Sequence, residues 1–92
     1  MISIEELKQL KSPNIIDIRN SINYNNNHIP GSINIPYEQL ITNPGKYLDR
    51  NHKYYVYCQR GITSKKVCQI LYNQGYNAIN IIGGYEQWIL EN

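Results

Sequence analysis

Tyr54-Tyr55-Val56-Tyr57 is a β-branched and aromatic stretch that stops at Cys58, and Gln59-Arg60-Gly61-Ile62-Thr63-Ser64 follows as a short loop into a helix. That order puts a thiol among backbone N–H donors just below a helix N-terminus, where a thiolate is stabilised. Cys58 is therefore a candidate nucleophile. The bland alternative is a small apolar residue buried at a strand end, as most lone cysteines are, and the loop context argues against it. Cys68 is the opposite case. It lies at helical spacing near Leu71 and reads as core, with a resolving thiol as its functional alternative. Two cysteines are too few for a disulfide scaffold, and they lack the companions that a metal site requires, so no metal and no cofactor are expected.

The elements that must position this thiol alternate along the chain. Ser3-Ile4-Glu5-Glu6 reads as a capping box opening a short helix to about Lys11, with Ile4, Leu7 and Leu10 on one face. Ser12-Pro13 ends it, and Asn14-Ile15-Ile16-Asp17-Ile18 is an apolar run suited to a strand buried on both faces. Asn20 to Asn27 is polar, a turn or irregular helix. Ile29-Pro30-Gly31 is a turn, Ser32 to Ile35 a second strand stopped by Pro36, and Tyr37 to Thr42 a helical turn broken by Asn43-Pro44-Gly45. Lys53 to Tyr57 is the third strand. Thr63 to Asn73 places Val67, Ile70 and Leu71 at helical spacing with Lys65 and Lys66 outward, and Gly75 stops it. Ala78 to Ile82 is a fourth strand, Gly83-Gly84 a tight turn, and Tyr85 to Leu90 a closing helix. Such alternation predicts an α/β fold, a small parallel sheet with helices on both faces and its functional loops at the carboxyl ends of the strands. Cys58 falls there. No repeat, linker or low-complexity segment divides residues 1–92, which are expected to form one domain.

Composition narrows the function. The 92 residues are 41% hydrophobic and 17% charged, which suits a folded chain near the small end for core burial. A net charge of +2 gives no basis for a nucleic-acid or anionic-membrane partner. The acidic N-terminal segment lacks the apolar core of a signal peptide, and no apolar run approaches the roughly 20 residues that span a bilayer. A cytoplasmic, reducing location is expected, and it suits a free thiol.

Over nearly its whole length the chain resembles a single-domain rhodanese, a sulfurtransferase. The matching pieces are Asp17-Ile18-Arg19, His28 through Pro36, Val56-Tyr57-Cys58 with its loop through Ser64, Gly75-Tyr76, and Gly83-Gly84-Tyr85-Glu86-Gln87-Trp88. Their shared order and spacing make the resemblance specific. It implies that Cys58 takes a sulfane sulfur from a donor, becomes a persulfide, and passes the outer sulfur to a nucleophilic acceptor such as cyanide or a thiol. The residues agree with it. Inward N–H groups at the positive end of a helix favour both thiolate and persulfide. Gly61 supplies a backbone conformation other residues resist, and the Thr63 and Ser64 hydroxyls can donate to sulfur or cap the helix.

Arg60 can hold the sulfonate end of thiosulfate by charge-assisted hydrogen bonds. The loop Cys-x-cation-Gly-hydrophobic-Thr resembles the thiosulfate-using branch of the family. Many small rhodaneses carry an arginine where this chain has Thr63, so Arg60 is the loop's one positive side chain. The substrate-binding candidates are thus Gln59, Arg60, Gly61, Ile62, Thr63 and Ser64. His28, ahead of Ile29-Pro30-Gly31, takes a structural role from the resemblance. Asp17 and Arg19 read as an ion pair that fixes the loop after the first strand rather than as substrate contacts. Tyr85 and Trp88 read as core aromatics, and His52 as an exposed turn residue.

Three functions compete. The first is a thiosulfate-type sulfurtransferase acting between a small-molecule donor and acceptor through Cys58. The second is a persulfide carrier that receives sulfur from a relay protein and has little activity on small donors. The third is a phosphatase of related fold. The phosphatases that share this architecture have a loop one residue longer, ending in an arginine six residues after the cysteine. Ser64 stands there instead.

Overall fold

A computed structural model describes residues 1–92. Four parallel strands, β1 (Asn14–Asp17), β2 (Ser32–Asn34), β3 (Lys53–Tyr57) and β4 (Asn77–Asn80), form one sheet in the order β2-β1-β3-β4. The helices between them are α1 (Ile4–Lys8), α2 (Ser21–Asn26), α3 (Tyr37–Thr42), α4 (Ile62–Asn73) and α5 (Gly84–Leu90), with a 3₁₀ turn at Pro44–Lys46. No helix is long and apolar enough to cross a membrane.

Alternation along the central strands sorts the side chains into two cores. Ile16 and Val56 face one way, into a cluster with Leu40 of α3 and Val67, Cys68 and Leu71 of α4. Ile15 and Tyr57 face the other way, against Ile4 and Leu7 of α1 and Tyr85 of α5. The sheet is therefore covered on both faces, as the apolar run of β1 predicts.

The capping box forms: Ser3 Oγ accepts from Glu6 N, and Glu6 Oε1 accepts from Ser3 N, each at 3.1 Å. The helix it opens is shorter than expected. It ends at Lys8, Leu10 is exposed, and Ser12 adopts φ +50, a left-handed conformation that turns the chain into Pro13. Asn20 caps a regular α2 by accepting from Asn23 N, so the polar stretch is helical although α2 buries none of its residues. In α4 the inward set is Ser64, Val67, Cys68 and Leu71, spaced by three and four, and Ile70 lies outside it, half exposed. The expected face was rotated because the buried Ser64 reads as polar in sequence.

Candidate active site

β3 runs up the middle of the sheet and delivers Cys58 to its carboxyl edge, where α4 begins. Gly61 is the α4 N-cap at φ +83, and no side chain caps the helix. The freed N–H groups turn to the sulfur instead: Gly61 N and Ser64 N donate to Cys58 Sγ at 3.2 and 3.3 Å. Cys58 is only 8% exposed, and burial by itself pushes its thiol up. The Ser64 hydroxyl and the backbone of Ser64, Gly61 and Arg60 outweigh that and hold it below the ordinary thiol value.

The Ser64 hydroxyl has two settings. In the thiol form Cys58 Sγ donates to Ser64 Oγ at 3.3 Å, while Ser64 Oγ gives its own hydrogen to Asn80 Oδ1 at 2.5 Å. An ionised sulfur can only accept, so the hydroxyl must turn its hydrogen from Asn80 to Sγ for this contact to favour the anion. Asn80 is buried at the end of β4 and also donates through Nδ2 to the Gly61 carbonyl at 3.4 Å. It ties the middle and the far end of the loop to the neighbouring strand. Sequence reasoning passed over it. The available signal was a strand-averse amide between Ile79 and Ile81.

A second support comes from the Gly83-Gly84 pair, which reads in sequence only as a turn. Both have positive φ, +79 and +60, and they bring the start of α5 under the loop. Tyr85 N donates to the Cys58 carbonyl at 2.9 Å and Glu86 N to the Gln59 carbonyl at 3.0 Å. A β-carbon on Gly84 would collide with the Cys58 carbonyl oxygen and lie 2.8 Å from the Gly61 nitrogen.

Arg19 braces the loop from the other flank. Its guanidinium pairs with Asp17 at 2.8 Å, and both side chains are almost fully buried. It donates to Gln59 Oε1 at 3.2 Å and to the Asn27 carbonyl at 2.7 Å, and it lies over the Tyr85 ring at 4.2 Å. The pairing expected of Asp17 and Arg19 is thus present, with an added reach to the Cys58 loop. Beneath it, Ser32 Oγ donates to the Ile29 carbonyl, so the Tyr57 hydroxyl donates to Ser32 Oγ while accepting from Ile29 N. This pins the Ile29-Pro30-Gly31 turn to β3. His28 stacks on Tyr24 at 3.9 Å with Nδ1 2.8 Å from the Tyr24 carbonyl, and it does not line the cleft.

The cleft over Cys58 has a volume of 630 Å³. Ile18, Arg19, Tyr37, Glu38, Arg60 and Thr63 are among the residues that line it. The six loop candidates have different surroundings. Gly61 and Ser64 touch the sulfur. Gln59, Arg60, Ile62 and Thr63 are exposed residues of the cleft wall. The Gln59 side chain is engaged by Arg19, and the Thr63 hydroxyl neither reaches the sulfur nor caps the helix. Trp88, expected in the core, is half buried under Lys8 Nζ at 5.1 Å, whereas Tyr85 is buried. His52 sits in an exposed turn beside Asp49.

Residues 3–91 match the family described as Rhodanese-like domain. The thiosulfate sulfurtransferase GlpE of Shewanella oneidensis is 34% identical over 91 residues, which cover 95% of this chain and 89% of that protein. The adenylyltransferase and sulfurtransferase uba4 of Ogataea parapolymorpha is 33% identical over 95% of this chain, which spans only 23% of that larger relative. Among solved structures, a rhodanese-related protein from Thermoplasma volcanium superposes with a TM-score of 0.89 at 32% identity. That match covers 99% of this chain and 91% of the other.

Proposed function

The chain belongs to the rhodanese-like domain family, and on that premise we propose that it moves a sulfane sulfur from a small anionic donor, thiosulfate, to a thiophilic acceptor through a persulfide on Cys58. The Cys58 thiolate attacks the outer sulfur of thiosulfate. A new S–S bond forms at Cys58 Sγ, the old S–S bond breaks, and its electron pair leaves on sulfite. In the second half, cyanide or a thiolate attacks the outer sulfur and the electron pair returns to Cys58. Both halves are displacements at sulfur, and atoms and charge balance with Cys58 alone.

The single observation that carries this reading is the sulfur's position, 3.2 Å from Gly61 N and 3.3 Å from Ser64 N at the start of α4. Those dipoles stabilise the attacking thiolate and the persulfide anion that replaces it. Arg60, exposed on the cleft wall, supplies a cation for the sulfonate end of the donor. The name of the Shewanella relative points to the same donor.

Intact-mass measurement after incubation with thiosulfate, and separately with mercaptopyruvate, tests nucleophile and donor together. Wild type gains one sulfur atom with thiosulfate and Cys58→Ser gains none. A gain that survives Cys58→Ser overturns the reading. A gain seen only when a cysteine desulfurase is added replaces the small donor with a protein one and makes the chain a persulfide carrier.

A further inference from the structure

A second groove, also of 630 Å³, runs along the far side of the Cys58 loop. Arg60, Ile62, Lys65, Lys66, Gln69 and Ile82 form its working surface. Arg60 and Ile62 line the cleft over Cys58 as well, so one ridge separates the two depressions.

Three properties single this groove out. Its charge is of one sign: three cations line it and no carboxylate does. The chain's two acid–base pairs are Arg19–Asp17 and His52–Asp49, which leaves Arg60, Lys65 and Lys66 without an acidic partner. Second, Lys65 and Lys66 stand near the N-terminus of α4, the end where the helix dipole disfavours cations, and the first turn holds no acidic residue to offset them. Third, two isoleucines sit among these charges, Ile62 at 56% exposure and Ile82 at 47%. Exposed aliphatic side chains occur elsewhere on this chain, Ile22 and Ile89 among them, so what matters is their place between unpaired cations, where one partner segment meets charged and apolar contacts together.

We propose that this groove docks an acidic segment of a protein that exchanges sulfur with Cys58. The proposal rests on the sulfur-transfer reading above. Carboxylates of the segment meet Arg60, Lys65 and Lys66, and aliphatic side chains between them cover Ile62 and Ile82. A thiol carried next to that segment then has only the Arg60–Ile62 ridge to cross to reach the cleft. In the exchange, the partner's thiolate attacks the outer sulfur of the Cys58 persulfide. The bond from that sulfur to Cys58 Sγ breaks with its electron pair returning to Cys58, and the partner departs as the persulfide. An RNA strand fits the surface less well. Three cations offer few phosphate contacts, and isoleucines offer bases no stacking platform.

Fluorescence anisotropy tests the surface without the chemistry. A labelled peptide of about a dozen residues, Asp and Glu alternating with Leu, is titrated with Cys58→Ser protein beside a matched Asn/Gln peptide. The acidic peptide binds at least about tenfold more tightly, and that advantage falls as salt is added. The Lys65→Glu/Lys66→Glu pair removes it. The Lys46→Glu/Lys53→Glu pair changes net charge equally at positions outside the groove and leaves affinity within about twofold. Equal binding of the two peptides overturns the proposal, as does equal damage from the two charge-reversed proteins. So does a single-stranded RNA that binds as tightly as the acidic peptide. Failure of the sulfur-transfer reading shows elsewhere, as wild type that gains no sulfur, and leaves these binding outcomes unchanged.

Discussion

Cys58 and Cys68 have the same burial and opposite chemistry. They are 8% and 6% exposed and belong to one apolar cluster. Burial pushes the Cys68 thiol up to about 12, with nearby Cys58 adding to the shift, while Cys58 lies below its ordinary value. The difference is in the hydrogen bonds. Cys68 lies mid-helix, where the surrounding N–H groups are spent on the α4 ladder. Cys58 lies at the helix start, where those of Gly61 and Ser64 have no ladder partner and point at sulfur. Desolvation therefore raises a thiol unless oriented dipoles replace the lost water.

The largest test of this contrast removes each sulfur in turn. Cys58→Ser is expected to lower sulfur transfer from thiosulfate to cyanide by at least about three orders of magnitude, followed by thiocyanate formation. Cys68→Ala leaves that rate unchanged. Equal losses would mean that the two thiols act together.

Gly84→Ala attacks the donors while leaving both sulfurs in place, although its methyl presses on the Cys58 carbonyl. The loop must shift to clear the new methyl, and with it Gly61 N. Turnover is expected to fall about 10- to 100-fold, with a destabilisation on the order of 2 kcal/mol read by urea titration. Wild-type turnover in this variant would show that the loop seat is not what aims the N–H groups.

Ser64→Ala removes one of the contacts that favour the anion and leaves the backbone donors in place. The Cys58 titration, followed by the pH dependence of iodoacetamide alkylation, moves up because one of the contacts that lower it is gone. Because the reactive form is the thiolate, the variant is slower than wild type at neutral pH and approaches it as pH rises. A uniform loss at every pH would give Ser64 a role in holding the donor.

The smallest effect belongs to Cys68→Ala, which trims a buried side chain and costs about 1–2 kcal/mol of stability. In wild type, alkylation labels Cys58 first and Cys68 only on unfolding. Labelling of Cys68 in the folded protein would break the contrast.

Much of this was legible in the residues. Alternation of short apolar runs with amphipathic segments gave the parallel sheet, because a strand buried on both faces must read as continuously apolar. The end of β3 at Cys58 and the glycine at 61 located the sulfur and its helix. Those are properties of adjacent residues. The Asn80 brace, the Gly83-Gly84 seat and the reach of Arg19 to Gln59 were not legible. Each joins segments far apart in the chain, and although an amide between two isoleucines and a glycine pair stand out locally, nothing beside them in sequence names the loop they hold. The inward face of α4 was misjudged for a related reason: burial of Ser64 depends on Asn80, which only the sheet brings near.

Residue order alone puts a thiol at a strand end below a helix, since local propensity and a left-handed glycine suffice for that. Only the packing of distant segments holds this thiol below its ordinary value. Burial alone raises it, and the net shift turns downward only through donors from Gly61 and Ser64, whose loop the Asn80, Gly84 and Arg19 contacts hold in place. Hydrogen bonds of this kind favour the anion only when their geometry is fixed, and here distant segments fix it.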